Sequence, residues 1–233
     1  MTAQSPQHIP KPTTLRPVNC PPGLEYLLQV DQLIVKQKVE ILETFTGFET
    51  NNEYDIQNNL GQNVYLASED TDCCTRNCCG PNRAFNMRIV GPSNREVLHL
   101  VRPLRCDTCF CFCCLQYMRV EAPVGHLIGY VVQDCSYDEN LWTRLCQDVE
   151  FDVLAKDTNT AIGRITKRWS AILRETFTDA DIYGVLFPSD MDVRAKACLL
   201  AATLLIDYMF FEKKGSQERE RERERERETG RGC

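Results

Sequence analysis

The sequence predicts a mainly β domain that ends in one hydrophobic helix. Three observations carry this expectation. Four pairs of short runs rich in Val, Ile, Tyr and Phe are each split by a turn cluster. Residues 193–211 then form a mostly apolar stretch near the C-terminus. Hydrophobic residues make up 43% of the 233, the level of a chain that buries a core, which excludes a wholly disordered protein.

In chain order, residues 1–22 carry six prolines, Pro6, Pro10, Pro12, Pro17, Pro21 and Pro22, and read as an extended, flexible leader. Residues 24–45 are rich in apolar side chains, and helix and strand periods both fit parts of them. Hairpins follow: 53–58 with 63–67 around Leu-Gly, and 85–90 with 96–101 around Gly-Pro-Ser-Asn. Two more pair 118–121 with 127–132 around Pro-Val-Gly, and 149–154 with 162–166 around Asp-Thr-Asn-Thr. Turns spaced by about 8–12 residues point to a barrel or sandwich. The apolar stretch 193–211 holds three charges, Arg194, Lys196 and Asp207. Ahead of it, Ser189 and Asp192 are spaced as a helix-start capping box. From Glu218 to Glu228, Glu and Arg alternate strictly. On a helix, such residues attract three apart and repel four apart, so this tail reads as solvated. The resulting divisions are 1–22, 23–211 and 212–233.

The formal net charge of −6 excludes a strongly basic nucleic-acid binder. Residues 212–233 hold eight basic and seven acidic residues, which leaves 19 and 26 in the rest, a net of −7. The acidity therefore belongs to the body. Of 14 cysteines, nine fall between Cys73 and Cys114. The opening MTAQSPQHIPKPTT has no apolar h-region, so a reducing location is expected, where disulfides are rare. That leaves packing, metal ligation or acylation. Thr2 is not the glycine of N-myristoylation, and Cys233 is not in a prenylation box.

The segment DADIYGVLFPSD, 179–190, has the length of a calcium-binding EF-hand loop, with Asp179, Asp181 and Asp190 at positions one, three and twelve and Gly184 at six. Tyr183 stands at five, and Asp190 reaches less far than the usual bidentate Glu. Gly-Val-Leu-Phe-Pro also reads as a buried strand between acidic turns, and on the residues alone that reading is the stronger. A second segment, 106–114, alternates Cys with Phe. It reads equally as a strand with small buried thiols or as an S-acylation site. Zinc at Cys106 and Cys109 comes third. A third, DCCTRNCCGP at 72–81, is a turn-rich run whose adjacent thiols are awkward tetrahedral ligands. In 193–211 the uncharged run 197–206 is ten residues, short for a span, so a buried core helix and a membrane helix stay open. Its apolar side chains include Leu199, Leu200, Leu204, Leu205, Ile206, Phe210 and Phe211. Arg164, Lys167 and Arg168 precede Trp169, either as edge protection of a strand or as a nuclear-import signal. No catalytic constellation is found: His99 and His126 have no nucleophile motif beside them, and no glycine loop cradles phosphate.

Together these segments resemble the phospholipid scramblase family. The resemblance runs from Pro21 to about Glu212 and is carried by NCPPGLEYL, ETFTGFETNNEYDI, EDTDCCTRNCCGP, RPLRC, FTDADIYGVLFPSDMDV and LLIDYMFFE. It implies a tubby-like β-barrel around, or followed by, the hydrophobic helix. It also implies calcium-stimulated, ATP-independent, bidirectional movement of phospholipids between leaflets. Calcium would sit at Asp179, Asp181, Tyr183 and Asp190. Palmitate would attach to Cys109, Cys111, Cys113 and Cys114, where Phe110 and Phe112 replace positions that relatives fill with Cys or Pro. The segment 163–172 is similar to the family's nuclear-import signal. Relatives have a longer stretch where this chain has DCSYDENLWTRLCQ, 134–147. The difference of about 20 residues is close to two strands and a turn, which implies a barrel that is incomplete or closed differently. The Arg-Glu tail is not a family ending.

The expected function is therefore scrambling at the cytoplasmic face of the plasma membrane, with no enzyme chemistry. The expected partners are the phospholipid membrane, further copies of the chain and a nuclear-import receptor for a nuclear pool. SH3 or WW docking is not expected of so short a proline leader, nor is zinc. The alternative is a palmitoylated, membrane-tethered or nuclear adaptor without transport activity.

Overall fold

The computed structural model describes residues 20–38, 51–79, 82–105, 115–133, 149–154, 161–168 and 182–211. Within them lie β1 (Gln32–Lys38), β2 (Glu53–Gln57), β3 (Asn63–Asp70), β4 (Phe85–Val90) and β5 (Glu96–Arg102). They continue with β6 (Tyr117–Glu121), β7 (Leu127–Val132), β8 (Val149–Leu154), β9 (Ala161–Arg168) and β10 (Ile182–Leu186). Two helices, α1 (Cys73–Cys79) and α2 (Val193–Phe210), and a 3-10 turn at Glu25–Leu28 complete them.

The strands form one ten-stranded sheet in the order β7-β6-β5-β4-β3-β2-β1-β10-β9-β8. All neighbours are antiparallel. The four expected hairpins are β2–β3, β4–β5, β6–β7 and β8–β9. The stretch 24–45, open between helix and strand in the sequence, supplies the turn and then β1. That strand joins the two halves by pairing with β2 on one side and β10 on the other. The reading of Gly-Val-Leu-Phe-Pro, 184–188, as a strand holds in part: β10 covers 182–186 and lies between β1 and β9.

Alternation puts one face of each strand inward. Leu33 and Val35, Tyr54 and Ile56, Met87 and Ile89, Leu98 and Leu100, Met118 and Val120, and Tyr183 and Val185 are all buried, on six of the strands. They surround Ala197, Leu200, Ala201, Leu204 and Tyr208 of α2. Two adjacent helix residues show how far the sheet curls. Asp207 bonds Tyr54 on β2 and Tyr183 on β10. Tyr208 stacks on Phe85 of β4 and lies 5.9 Å from the guanidinium of Arg102 on β5. From β5 to β10 is five strand spacings, about 24 Å on a flat sheet. One helical turn reaches both, so the sheet wraps the helix. Among the described residues β7 and β8 end the sheet without pairing with each other. The fold is thus the tubby-like arrangement as an open barrel around its C-terminal helix.

Two local features differ from the sequence reading. Residues 73–79 form α1 rather than a turn-rich loop, because Asp72 caps it: its carboxylate accepts from the Thr75 backbone N–H at 2.9 Å and from the Thr75 hydroxyl at 2.5 Å. The cap of α2 is Asp192 itself, which accepts from the Arg194 N–H at 2.8 Å. Ser189, three residues earlier, instead gives its carbonyl to Lys196. Among the described residues no helix is long and apolar enough to cross a membrane.

Replacing Asp207 with Leu removes the acceptor that two buried phenols share, and is expected to lower unfolding stability by about 3 kcal/mol. Tyr54→Phe, which keeps the Tyr183 bond, is expected to cost about 1 kcal/mol. Urea unfolding of the two variants beside the parent chain measures both, and equal losses would show that Asp207 acts by volume alone.

Candidate functional site

The helix α2 brings buried polar groups into the barrel in three tiers. At its start Lys196 is fully buried. Its ammonium donates to the carbonyls of Leu27 at 3.0 Å, Val30 at 2.8 Å and Ser189 at 3.1 Å, and lies 4.9 Å from the Phe187 ring centre. The 3-10 turn and the segment after it are thereby tied to the helix. Burial pulls the pKa of this lysine below its ordinary 10.5, with Asp31 and Asp190 opposing. In the middle, Thr203 bonds back to the Leu199 carbonyl at 3.0 Å, which satisfies the hydroxyl inside its own helix.

The third tier is a network. Asp207 accepts hydroxyl protons from Tyr54 at 2.6 Å and Tyr183 at 2.5 Å. Beside it the Tyr208 hydroxyl donates to Glu69 Oε2 at 2.8 Å. Arg83 holds the same carboxylate with two bonds, Nε to Oε1 at 2.7 Å and Nη2 to Oε2 at 2.9 Å. Asn52 adds its backbone N–H to Glu69 Oε2 and its side-chain amide to the Tyr208 hydroxyl, each at 3.2 Å. Burial alone would raise the pKa of Glu69; the bonds and charge of Arg83, with the Tyr208 hydroxyl, outweigh it and hold it below 4.5.

Of the residues expected at the calcium segment, two are described, Tyr183 and Asp190. Tyr183 is buried with its hydroxyl on Asp207, while Asp190 is exposed in the turn before α2. Asp179 and Asp181 lie outside the described residues, as do Trp169 and the cluster Cys109, Cys111, Cys113 and Cys114. No group of three or more metal-ligating side chains occurs among the described residues. The basic pair of β9 is split by strand alternation. Arg164 is exposed and borders an open cleft of about 340 Å³ with Asp31, Leu186 and Pro188. Lys167 is 2% exposed, its ammonium 3.4 Å from the centre of the Phe211 ring. Of the helix residues, Leu200, Leu204, Leu205 and Phe211 are buried, and Leu199, Ile206 and Phe210 are half-buried. The helix is therefore the core of the barrel.

The sequence reading missed Glu69, Arg83 and the carbonyl cradle of Lys196. Two charges inside an apolar stretch were a signal for buried partners, but nothing in the sequence says which strands supply them.

The description "Scramblase" names the family model that matches residues 10–213. Human phospholipid scramblase 1 is 49% identical over 89% of this chain and 71% of its own length. Bovine phospholipid scramblase 2 is 47% identical over 89% and 78%. Human phospholipid scramblase family member 5 is 39% identical over 88% and 83%. No solved structure matches the chain.

Two pH effects follow from the buried charges. The carboxyl of Glu69 has its folded pKa below the unfolded value of 4.5, so its stabilisation is present above 4.5 and is lost as pH falls through the folded pKa. Acid unfolding of Glu69→Gln should accordingly show a weaker pH dependence below 4.5 than the parent chain. Lys196 has its folded pKa below 10.5. Between those two values the unfolded chain binds more protons, so stability rises with pH. Lys196→Met should be about 2–4 kcal/mol less stable at neutral pH, and denaturant melts should show that deficit widening towards pH 10.5.

Proposed function

This chain belongs to the scramblase family, and on that premise we propose that it moves phospholipids between membrane leaflets in both directions, without ATP and under calcium stimulation. The observation that carries the reading is the match over residues 10–213, together with relatives named phospholipid scramblases at 39–49% identity. Interaction with a phospholipid membrane follows from the family. The absence of a phosphate-cradling glycine loop from the sequence supports independence from ATP.

Palmitate on Cys109, Cys111, Cys113 and Cys114 is the proposed anchor, because one acyl chain holds marginally and two hold stably. Homo-oligomers are proposed as well. Calcium takes six to eight oxygens, and the described part of 179–190 does not supply them. Tyr183 has turned its hydroxyl to Asp207, and Asp190 alone offers a carboxylate. The calcium proposal thus rests on Asp179 and Asp181. A second reading, a palmitoylated membrane or nuclear adaptor without transport, is favoured by the burial of α2 in the barrel. An import receptor reading 164–169 would then meet Arg164 outside and Lys167 inside.

The purified chain, reconstituted in liposomes with a fluorescent phospholipid, is expected to give calcium-dependent loss of leaflet asymmetry above protein-free vesicles. Loss no greater than in protein-free vesicles would leave the adaptor. Asp179→Ala is expected to weaken calcium binding in isothermal titration; unchanged affinity would remove this segment from the mechanism.

A further inference from the structure

We propose that the outer face of the β6–β7 hairpin is the surface that this protein lays against a phospholipid membrane, beside the cysteine cluster. The inference rests on the membrane reading above and adds which face meets the lipid. Cross-strand pairs fix that face: Tyr117 stands opposite Val132, and Arg119 opposite Tyr130. Met118 and Val120, of the other parity, point into the core and are fully buried. Outside, Val132 is 62% exposed, Tyr130 54% and Leu127 50%, with Leu104 at 58% beside the strand ends. The guanidinium of Arg105 lies 4.4 Å from the ring centre of Tyr117, which is 6.4 Å from that of Tyr130.

Three features select a lipid surface as the occupant. First, the composition suits the interfacial zone. Tyrosine rings with polar tips gather there, and arginine stems lie on apolar surface while their heads stay wet. Second, the charge is right. Arg105 and Arg119 are basic, and the neighbouring Glu121 is bound to Arg119 at 2.8 Å, whereas the chain as a whole carries −6. Third, the cysteine cluster starts and ends here. Arg105 donates to the Leu115 carbonyl at 3.0 Å, and the Gln116 amide donates to the Arg105 carbonyl at 3.4 Å. The nine residues between, 106–114, include five cysteines and two phenylalanines. With both ends fixed at one place they can reach about 15 Å from it. Acyl chains on that segment would hold Tyr117 and Val132 within that distance of the headgroups. Among the described residues β7 also ends the sheet, where an apolar surface is a liability unless something covers it.

The test uses the full chain made without acylation and vesicles of phosphatidylcholine and phosphatidylserine. In flotation, Tyr130→Asp with Val132→Asp is expected to lower the vesicle-bound fraction about ten-fold. Leu60→Asp, at a 76% exposed position in the β2–β3 turn, is expected to leave it unchanged. Circular dichroism confirms that each variant is folded. Benzoylphenylalanine placed at position 130 is expected to give lipid adducts on irradiation. An unchanged bound fraction in the double variant, no binding by the parent chain, or adducts only to a second copy would each overturn the proposal. Scrambling is scored separately: binding through this face without transport sinks the transport reading alone, and transport with binding indifferent to Tyr130 and Val132 sinks this one alone.

Discussion

Asp207 is 3% exposed and receives the hydroxyls of Tyr54 and Tyr183, and this contact decides where the helix can be. The two phenols come from β2 and β10, which flank β1 on opposite sides, so one carboxylate ties both neighbours of β1 to α2. Moving α2 into hydrocarbon would strip Asp207 and Lys196 of their partners, at a cost of at most about 2.5–3.5 kcal/mol each, the helix-centre figure on insertion scales. It would also leave two phenols and the Glu69–Arg83 pair facing an emptied core, where an unmade buried hydrogen bond costs about 1–3 kcal/mol. Most apolar residues of α2 are already buried by the inner faces of the strands. The balance favours the barrel.

The enclosure is not uniform. Leu199, Ala202, Ile206 and Met209 are half-buried and follow one another at intervals of three and four, which is one stripe of α2. Among the described residues the sheet ends at β7 on one side and β8 on the other. At the β7 end the strand comes close to the helix at a glycine: a Cβ on Gly129 would stand 2.6 Å from the Cys198 sulfur, which would have to shift.

The hairpins were legible because period-two alternation and turn residues are local properties, and β2 through β9 obey them. The closing pair, β1 with β10, joins residues about 150 apart in sequence, and no local pattern announces such a pairing. Helix capping was half legible: the spacing marked the start of α2, but both Ser189 and Asp192 can cap, and in the structure it is Asp192 that accepts from the Arg194 N–H. At the candidate site the loss was greater. Tyr183 occupies the fifth position of an EF-hand-like spacing, and spacing along a chain cannot say that the ring points inward. The partner Asp207 lies 24 residues away. Likewise Arg164 and Lys167 read as one basic patch until alternation puts them on opposite faces of β9, a split that the strand reading of 162–166 already contained.

The same network limits how lipid could move. A headgroup crossing roughly 30 Å of hydrocarbon needs polar groups along its way. The helix spans about 27 Å, and its enclosed polar side chains, Lys196, Thr203, Asp207 and Tyr208, are already bonded to carbonyls, phenols and carboxylate within the protein. Offering them to a headgroup would mean breaking the bonds that hold the barrel closed on the helix. A lipid path therefore has to be built from the outside of the barrel or from more than one copy of the chain. It follows that the residues that stabilise the fold and those that would guide lipid are different sets, one on the inner parity of the strands and one on the outer.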